Sequence, residues 1–215
     1  MEALIKNGHE CYIIGAGDFF GLNELPDDSD YVIAADAGLN HCRKYGIIPD
    51  LVLGDFDSLG EEPEHPNVLR LPVEKDDTDT MYAVRLGLEK GYRHFYIYGA
   101  LGGKRSDHSI ANMQILVYLA NRGARGWIFG SDCVWTAIRN TTLLLSGSGG
   151  VSVFCIDGKA QGVTLKGLKY EIHDAEISSD YPIGVSNSMA ADTAEIEVGS
   201  GCLLVMYDKG IGETE

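Results

Sequence analysis

The chain has 215 residues, enough to bury a sizeable core in one large domain or two small ones without a disulfide staple. Its formal net charge of -15 and pI near 4.7 argue against a nucleic-acid or anionic-membrane partner, while favouring solubility and a small cationic ligand. Five dispersed cysteines without a C-x-x-C pair, an N-terminus without the apolar core of a signal peptide and the lack of an apolar run near ~18 residues predict a soluble cytoplasmic protein in a reducing compartment.

From Cys11 to about Gly130 short apolar runs alternate with helical patterns, which predicts a mostly parallel sheet with helices on both faces. Strands are expected to begin at Cys11, Tyr31, Leu51, Val68, Arg93 and Gly126. One helix is expected from about Thr78 to Lys90, with Met81, Val84 and Leu88 on its apolar face. A second is expected from Ser106 to Asn121, with Ile110, Met113 and Val117 turned inward. After about Arg139 the runs are rich in Val, Ile, Leu, Thr and Tyr and are punctuated by Gly-Ser turns, the pattern of an antiparallel β-sandwich. The division drawn from sequence is an α/β domain over 1–138 and a β-sandwich domain over 139–215.

Four stretches carry candidate chemistry. The loop Gly15 to Gly21 follows a strand, with Asp36 about 20 residues on, and nearly copies a dinucleotide-binding fingerprint; its third glycine is one place late and Asp18 sits where a pyrophosphate would lie. A tight turn is the structural alternative, and a nicotinamide-dependent oxidoreductase the functional one. In Leu51 to Ser58 an apolar run stops at Gly54 and is followed by Asp55 and Asp57. This reads either as a polar turn or as a strand end offering two carboxylates to a hard cation such as Mg²⁺. Side chains two apart along a strand share a face, but past its end both carboxylates meet one ion only if Gly54 to Ser58 turns suitably.

The run Lys75 to Asp79 places Asp76, Asp77 and Asp79 at a helix start, where capping accounts for only one or two of them. Asp76 and Asp79, three apart, are expected to face one side. The run Gly99 to His108 is a glycine-rich loop after a strand that carries Lys104 and Arg105 and opens a helix, on which His108 and Asn112 share a face. Glycines admit phosphate oxygens, and a cation can neutralise charge developing in phosphoryl transfer. Carboxylates and a basic glycine loop at successive strand ends make phosphoryl or nucleotidyl transfer from Mg-ATP the leading class.

Taken in order, these stretches resemble the thiamine pyrophosphokinase (thiamine diphosphokinase) family: Ala35 to Asn40, Gly54 to Ser58, Asp76 with Thr78 and Asp79, Gly102 and Gly103 through Arg105, Asp107, His108 and Asn112, and Gly167 to Tyr170 with Val185 to Asn187. The resemblance implies a homodimer with the site near the subunit interface, transferring the diphosphate of ATP to the hydroxyl of thiamine. It assigns Asp55, Asp57, Asp76 and Asp79 to the metal and phosphates, and Arg105 and Asp107 to the transferring group. Asp36, Gly38, Asn40, Ser58, Thr78, Gly102, Gly103, Lys104, His108 and Asn112 fall to the nucleotide, and Tyr170, Ser186 and Asn187 to thiamine. The chain departs from the family pattern in having Tyr170 where Trp is frequent, and two basic residues, Lys104 and Arg105, where one is expected. A diphosphokinase for another alcohol, such as a hydroxymethylpterin, is the neighbouring possibility.

Overall fold

The computed structural model describes residues 10–103 and 105–214. It divides into two compact units, one comprising the described residues through Ile115 with Gly126–Ser131, the other Leu116–Arg125 with Asp132 onward.

The first unit is built on short strands, β1 (Cys11–Ile14), β2 (Tyr31–Ala35), β3 (Leu51–Gly54), β4 (Val68–Arg70), β5 (His94–Tyr98) and β6 (Arg125–Phe129), most of them buried, with the edge strand β4 largely exposed. Their spatial order is β4-β3-β2-β1-β5-β6, with β1 parallel to β2 and β5, and β3 parallel to β2 and β4. The chain runs outward from β1 to β4 and then returns to the other side of β1 as β5. The order therefore reverses between β1 and β5, which is where open α/β sheets leave a crevice beyond the strands' C-terminal ends.

Helix α1 (Gly38–Tyr45) follows β2, α2 (Asp79–Glu89) precedes β5, and α3 (Ser106–Ala120) follows β5. The sheet's two faces differ in kind. On one, Tyr12, Tyr96 and Tyr98 stack, and Phe19 bridges Tyr98 to His41 and Tyr45 of α1. On the other, Gly87 of α2 lies against Phe95 and Cys11. Alternation along β1 and β5 thus puts Tyr12, Tyr96 and Tyr98 on one face and Cys11 with Phe95 on the face covered by α2.

Two details differ from the sequence reading. The apolar stripe of α3 passes through Asn112, Ile115, Leu116 and Leu119, so Ile110, on the far side of the helix from Asn112, is 66% exposed. On α2 the buried residues are Ala83, Val84 and Gly87, with Met81 and Leu88 half-buried.

The second unit contains two sets of antiparallel strands. Strands β7 (Cys133–Arg139), β9 (Gly150–Phe154), β12 (Asn187–Ser188) and β14 (Cys202–Asp208) run in the order β12-β9-β14-β7. Strands β8 (Thr142–Gly147), β10 (Lys159–Lys166), β11 (Ile172–Ser178), β13 (Thr193–Glu197) and β15 (Ile211–Thr214) run in the order β11-β10-β13-β8-β15. Burial alternates along β8 and β13, burying Leu143, Leu145, Ala194 and Ile196, as a half-solvated sandwich requires. The five cysteines are free. Among the described residues no helix is long and apolar enough to cross a membrane.

Candidate active site

A cleft of about 380 Å³ opens in the first unit at the C-terminal ends of β1, β2 and β5. Its floor is made by two glycine loops in direct backbone contact. The amides of Gly15, Gly17 and Asp18 donate to the carbonyls of Tyr98, Gly99 and Leu101 at 2.8, 2.7 and 2.9 Å. A Cβ on Gly15 or Gly17 would lie 2.7 Å from the Gly99 oxygen, so this approach excludes any side chain. No helix starts at the Gly15–Gly21 loop; α1 comes only after β2. The loop therefore lacks the helix N-terminus on which a dinucleotide's pyrophosphate would rest, and Asp18 finds a different role, accepting from the Gly103 amide at 3.1 Å. His41 Nε2 lies 2.9 Å from the Gly17 oxygen and ties the loop to α1.

Beside this floor, ligand atoms of Asp36, Asp55 and Asp57 all lie within 4.8 Å of one another. Backbone conformation brings them together. Asp36 leaves the end of β2 with φ 51°, while its amide still donates to the Leu53 oxygen at 2.7 Å. At the end of β3, Phe56 takes φ 66° and is buried. Left-handed backbone at non-glycine residues costs of order 1–3 kcal/mol each, and here it gathers three like charges. The lack of a side chain at Gly54 permits the close approach to Asp36, since a Cβ there would sit 3.1 Å from Asp36 Cα. The turn on which convergence of Asp55 and Asp57 depends is thus present, and it recruits Asp36 as third member.

Asp36 is 7% exposed, its Oδ1 is buried without a hydrogen-bond partner, and burial raises its pKa above the ordinary carboxylate value. An orphaned buried carboxylate oxygen beside two further carboxylates suits a hard divalent cation. Lys75 enters from the segment before α2, 2.7 Å from Asp55 Oδ2 and 3.1 Å from Asp79 Oδ1. Its ammonium holds the Asp55 pKa down, while burial keeps that of Asp79 up despite the same partner. Burial opposes the charge on Lys75 itself, but the two carboxylates outweigh it and its pKa is raised.

Thr78 caps α2, its hydroxyl accepting from the Met81 amide at 3.1 Å, and faces the cleft together with Asp79. Asp76 is exposed and precedes that cap, so helical spacing to Asp79 does not apply, and it joins neither the carboxylate trio nor the cleft wall. Ser58 donates to Asp57 Oδ1 at 3.0 Å. Gly102, Gly103, Arg105, His108 and Asn112 line the opposite wall. Asn112 is anchored there by its amide, which donates to the Ala100 oxygen at 2.7 Å. Arg105 donates to both oxygens of Asp107, at 3.0 and 2.7 Å, a fork that fixes the guanidinium and takes the Asp107 pKa down to about 2. Lys104 lies outside the described residues. Gly38 and Asn40 do not line the cleft: Gly38 is buried against β1, and Asn40 is exposed on α1.

In the second unit Asn187 is buried, and its side chain accepts from the Tyr170 amide at 2.9 Å and donates to the Tyr170 oxygen at 2.7 Å. The amide is thereby committed to presenting Tyr170, whose side chain is 60% exposed. Ser186 is exposed with φ 61°, its amide donating to Ser152 Oγ at 3.1 Å.

Two family models match the chain: the thiamin pyrophosphokinase catalytic domain over residues 22–128 and the thiamin pyrophosphokinase vitamin B1 binding domain over 146–203. The chain belongs to the thiamin pyrophosphokinase family. The catalytic-domain match takes in the carboxylates and the cleft lining apart from Ala16 and Gly17, and the other match takes in Tyr170 and Asn187. A thiamine pyrophosphokinase of Bacillus subtilis strain 168 is 35% identical over 106 residues, which is 44% of this chain and 49% of the relative, so the matched stretch spans about half of that curated protein. Among solved structures, the thiamine pyrophosphokinase of Bacillus subtilis is similar with a TM-score of 0.80 at 22% identity, covering 93% of this chain and 98% of its own. That of Geobacillus thermodenitrificans gives 0.77 at 23%, covering 93% and 97%, and the yeast enzyme 0.72 at 13%, covering 95% and 87%. At these identities the structures speak for the fold.

Two residues of this site escaped sequence reasoning. Lys75 was visible as a cation beside three aspartates, but its contact with Asp55 depends on how β3 and α2 are brought together. His41 showed no ligand spacing at all, since its partner is a backbone oxygen 24 residues earlier.

Proposed function

We propose that this thiamin pyrophosphokinase family member transfers the intact β,γ-diphosphate of ATP to the primary hydroxyl of thiamine, giving thiamine diphosphate and AMP. The observation that carries the reading is the convergence of Asp36, Asp55 and Asp57 beside a cleft walled by a glycine loop and Arg105. In the reaction the hydroxyl oxygen bonds to the β-phosphorus, the bond from that phosphorus to the α,β-bridging oxygen breaks, AMP leaves with the oxygen, and the hydroxyl proton is released. Asp36, Asp55 and Asp57 would hold Mg²⁺, with Asp79 nearby on Lys75. When bound, the ion neutralises phosphate charge and fixes the reacting diphosphate. Gly102 and Gly103 wall the cleft beside Arg105, which, held by Asp107, meets the charge developing on the transferred group.

The first unit is accordingly the Mg-ATP-binding part and the second the thiamine-binding part of a cytoplasmic homodimer. Exposed Tyr170, Tyr181, Ile183 and Val185 on the second unit supply apolar surface suited to a ring or a partner subunit. Tyr170 offers a π-face to the thiazolium or pyrimidine, although Lys169 Nζ already stands 5.3 Å from its ring centroid. Tyr170→Ala is expected to raise the thiamine KM with kcat little changed; steady-state kinetics with an unaltered KM would remove Tyr170 from the site. Thermal-shift runs with Mg-ATP and with NAD test the donor: stabilisation is expected from Mg-ATP, and stabilisation by NAD alone would overturn the proposal. A panel of alcohols, with a hydroxymethylpterin among them, then tests the acceptor, and thiamine is expected to be the preferred one.

A further inference from the structure

Lys75 is a built-in cation of the acidic site. Its side chain is 15% exposed, and Asp55 is shared between its ion pair and the trio with Asp36 and Asp57. Asp55 Oδ2 accepts from the ammonium at 2.7 Å, while Oδ1 accepts from the Asp57 amide at 3.3 Å. A divalent cation entering alone therefore meets a carboxylate already neutralised in part by a fixed positive charge, and is repelled by it. The complex of a divalent cation with ATP carries net negative charge, and the same ammonium attracts it. The sign of the Lys75 contribution reverses between the two forms of the metal.

From this arrangement we infer that Lys75 is a selectivity residue, which biases the carboxylate trio against free divalent cation and toward the metal–nucleotide complex. The inference rests on the reading of the trio as a metal site. Its consequence is that the metal arrives with the nucleotide and that the trio stays largely unloaded between turnovers.

Binding of Mn²⁺, followed by electron paramagnetic resonance without turnover, tests this on the intact protein. Lys75→Met removes the charge, Lys75→Gln keeps a donor for Asp55 without it, and Lys75→Arg restores it. Affinity for free Mn²⁺ is expected to rise roughly tenfold or more in the Met and Gln variants and to stay near the parent value in the Arg variant. Affinity for Mn²⁺ with the α,β-methylene analogue of ATP is expected to fall in the same two variants. Opposite shifts are what a merely structural role would not produce, because a loosened site weakens both forms together. Free Mn²⁺ affinity that is unchanged or lower in both neutral variants would overturn the inference. Asp57→Asn serves as the separate control: if it leaves Mn²⁺–analogue binding intact, the metal-site reading itself fails, whereas if it abolishes binding and the Lys75 variants change nothing, only the selectivity role does.

Discussion

Turnover by an Asp57→Asn variant is expected to fall by about a hundredfold to a thousandfold, the usual loss when one electrostatic group is taken from a preorganised site. Asparagine keeps the volume and the acceptor for the Ser58 hydroxyl, which lies 3.0 Å from Asp57 Oδ1. What it removes is one of the three charges gathered with Asp36 and Asp55. Because Asp57 is exposed, stability should change by no more than about 0.5 kcal/mol. Relief of like-charge repulsion acts in the stabilising direction. Steady-state rates beside thermal melts separate the two effects. A rate within a factor of two or three of the parent would remove Asp57 from the reacting centre.

The largest effect on stability is expected from Gly38→Ala. A Cβ there would lie 1.9 Å from the Ile14 carbonyl oxygen and 2.7 Å from its carbon, both backbone atoms of the central strand. Neither can yield without moving β1 or the start of α1, and overpacking of this kind costs about 3 kcal/mol. For a chain of this length that lowers Tm by roughly 6–12 °C. Gly46→Ala is the informative comparison. It closes the same helix with φ 69° and has nothing near its Cβ position, so only the left-handed backbone penalty of about 1 kcal/mol applies. Equal melting temperatures for the two variants would show that α1 does not rest on the β1 backbone. Gly38 thus stands in the family motif for a packing reason, with no place among the cleft-lining residues.

The parts of this fold that could be read from sequence were those with a local signature. Val, Ile and Leu runs gave β1, β2 and β3 to within a residue, and Thr78, as the cap of α2, fixed where that helix begins. Helix α1 went unseen because its signals are tertiary. It is short, opens on glycine without a side-chain cap, and buries only Gly38, Leu39 and Cys42. The loop after β1 could be read either as a turn or as a fingerprint for the same reason: its glycines serve contact with Gly99, a partner 84 residues away from Gly15 that no spacing rule contains. At the site, Asp55 and Asp57 were visible as a pair, and the need for a turn between them was a geometric condition that Phe56 meets with its φ of 66°. Asp36 was visible as a residue of the nucleotide loop but not as the third carboxylate, since its position depends on the parallel register of β2 against β3.

The central claim, that these carboxylates serve diphosphate transfer from ATP to thiamine, is tested most directly by incubating the protein with thiamine, ATP and Mg²⁺ and separating the products. AMP and thiamine diphosphate should form in equal amounts and only with the metal present. Finding neither product, or finding ADP with thiamine monophosphate in their place, would contradict the account.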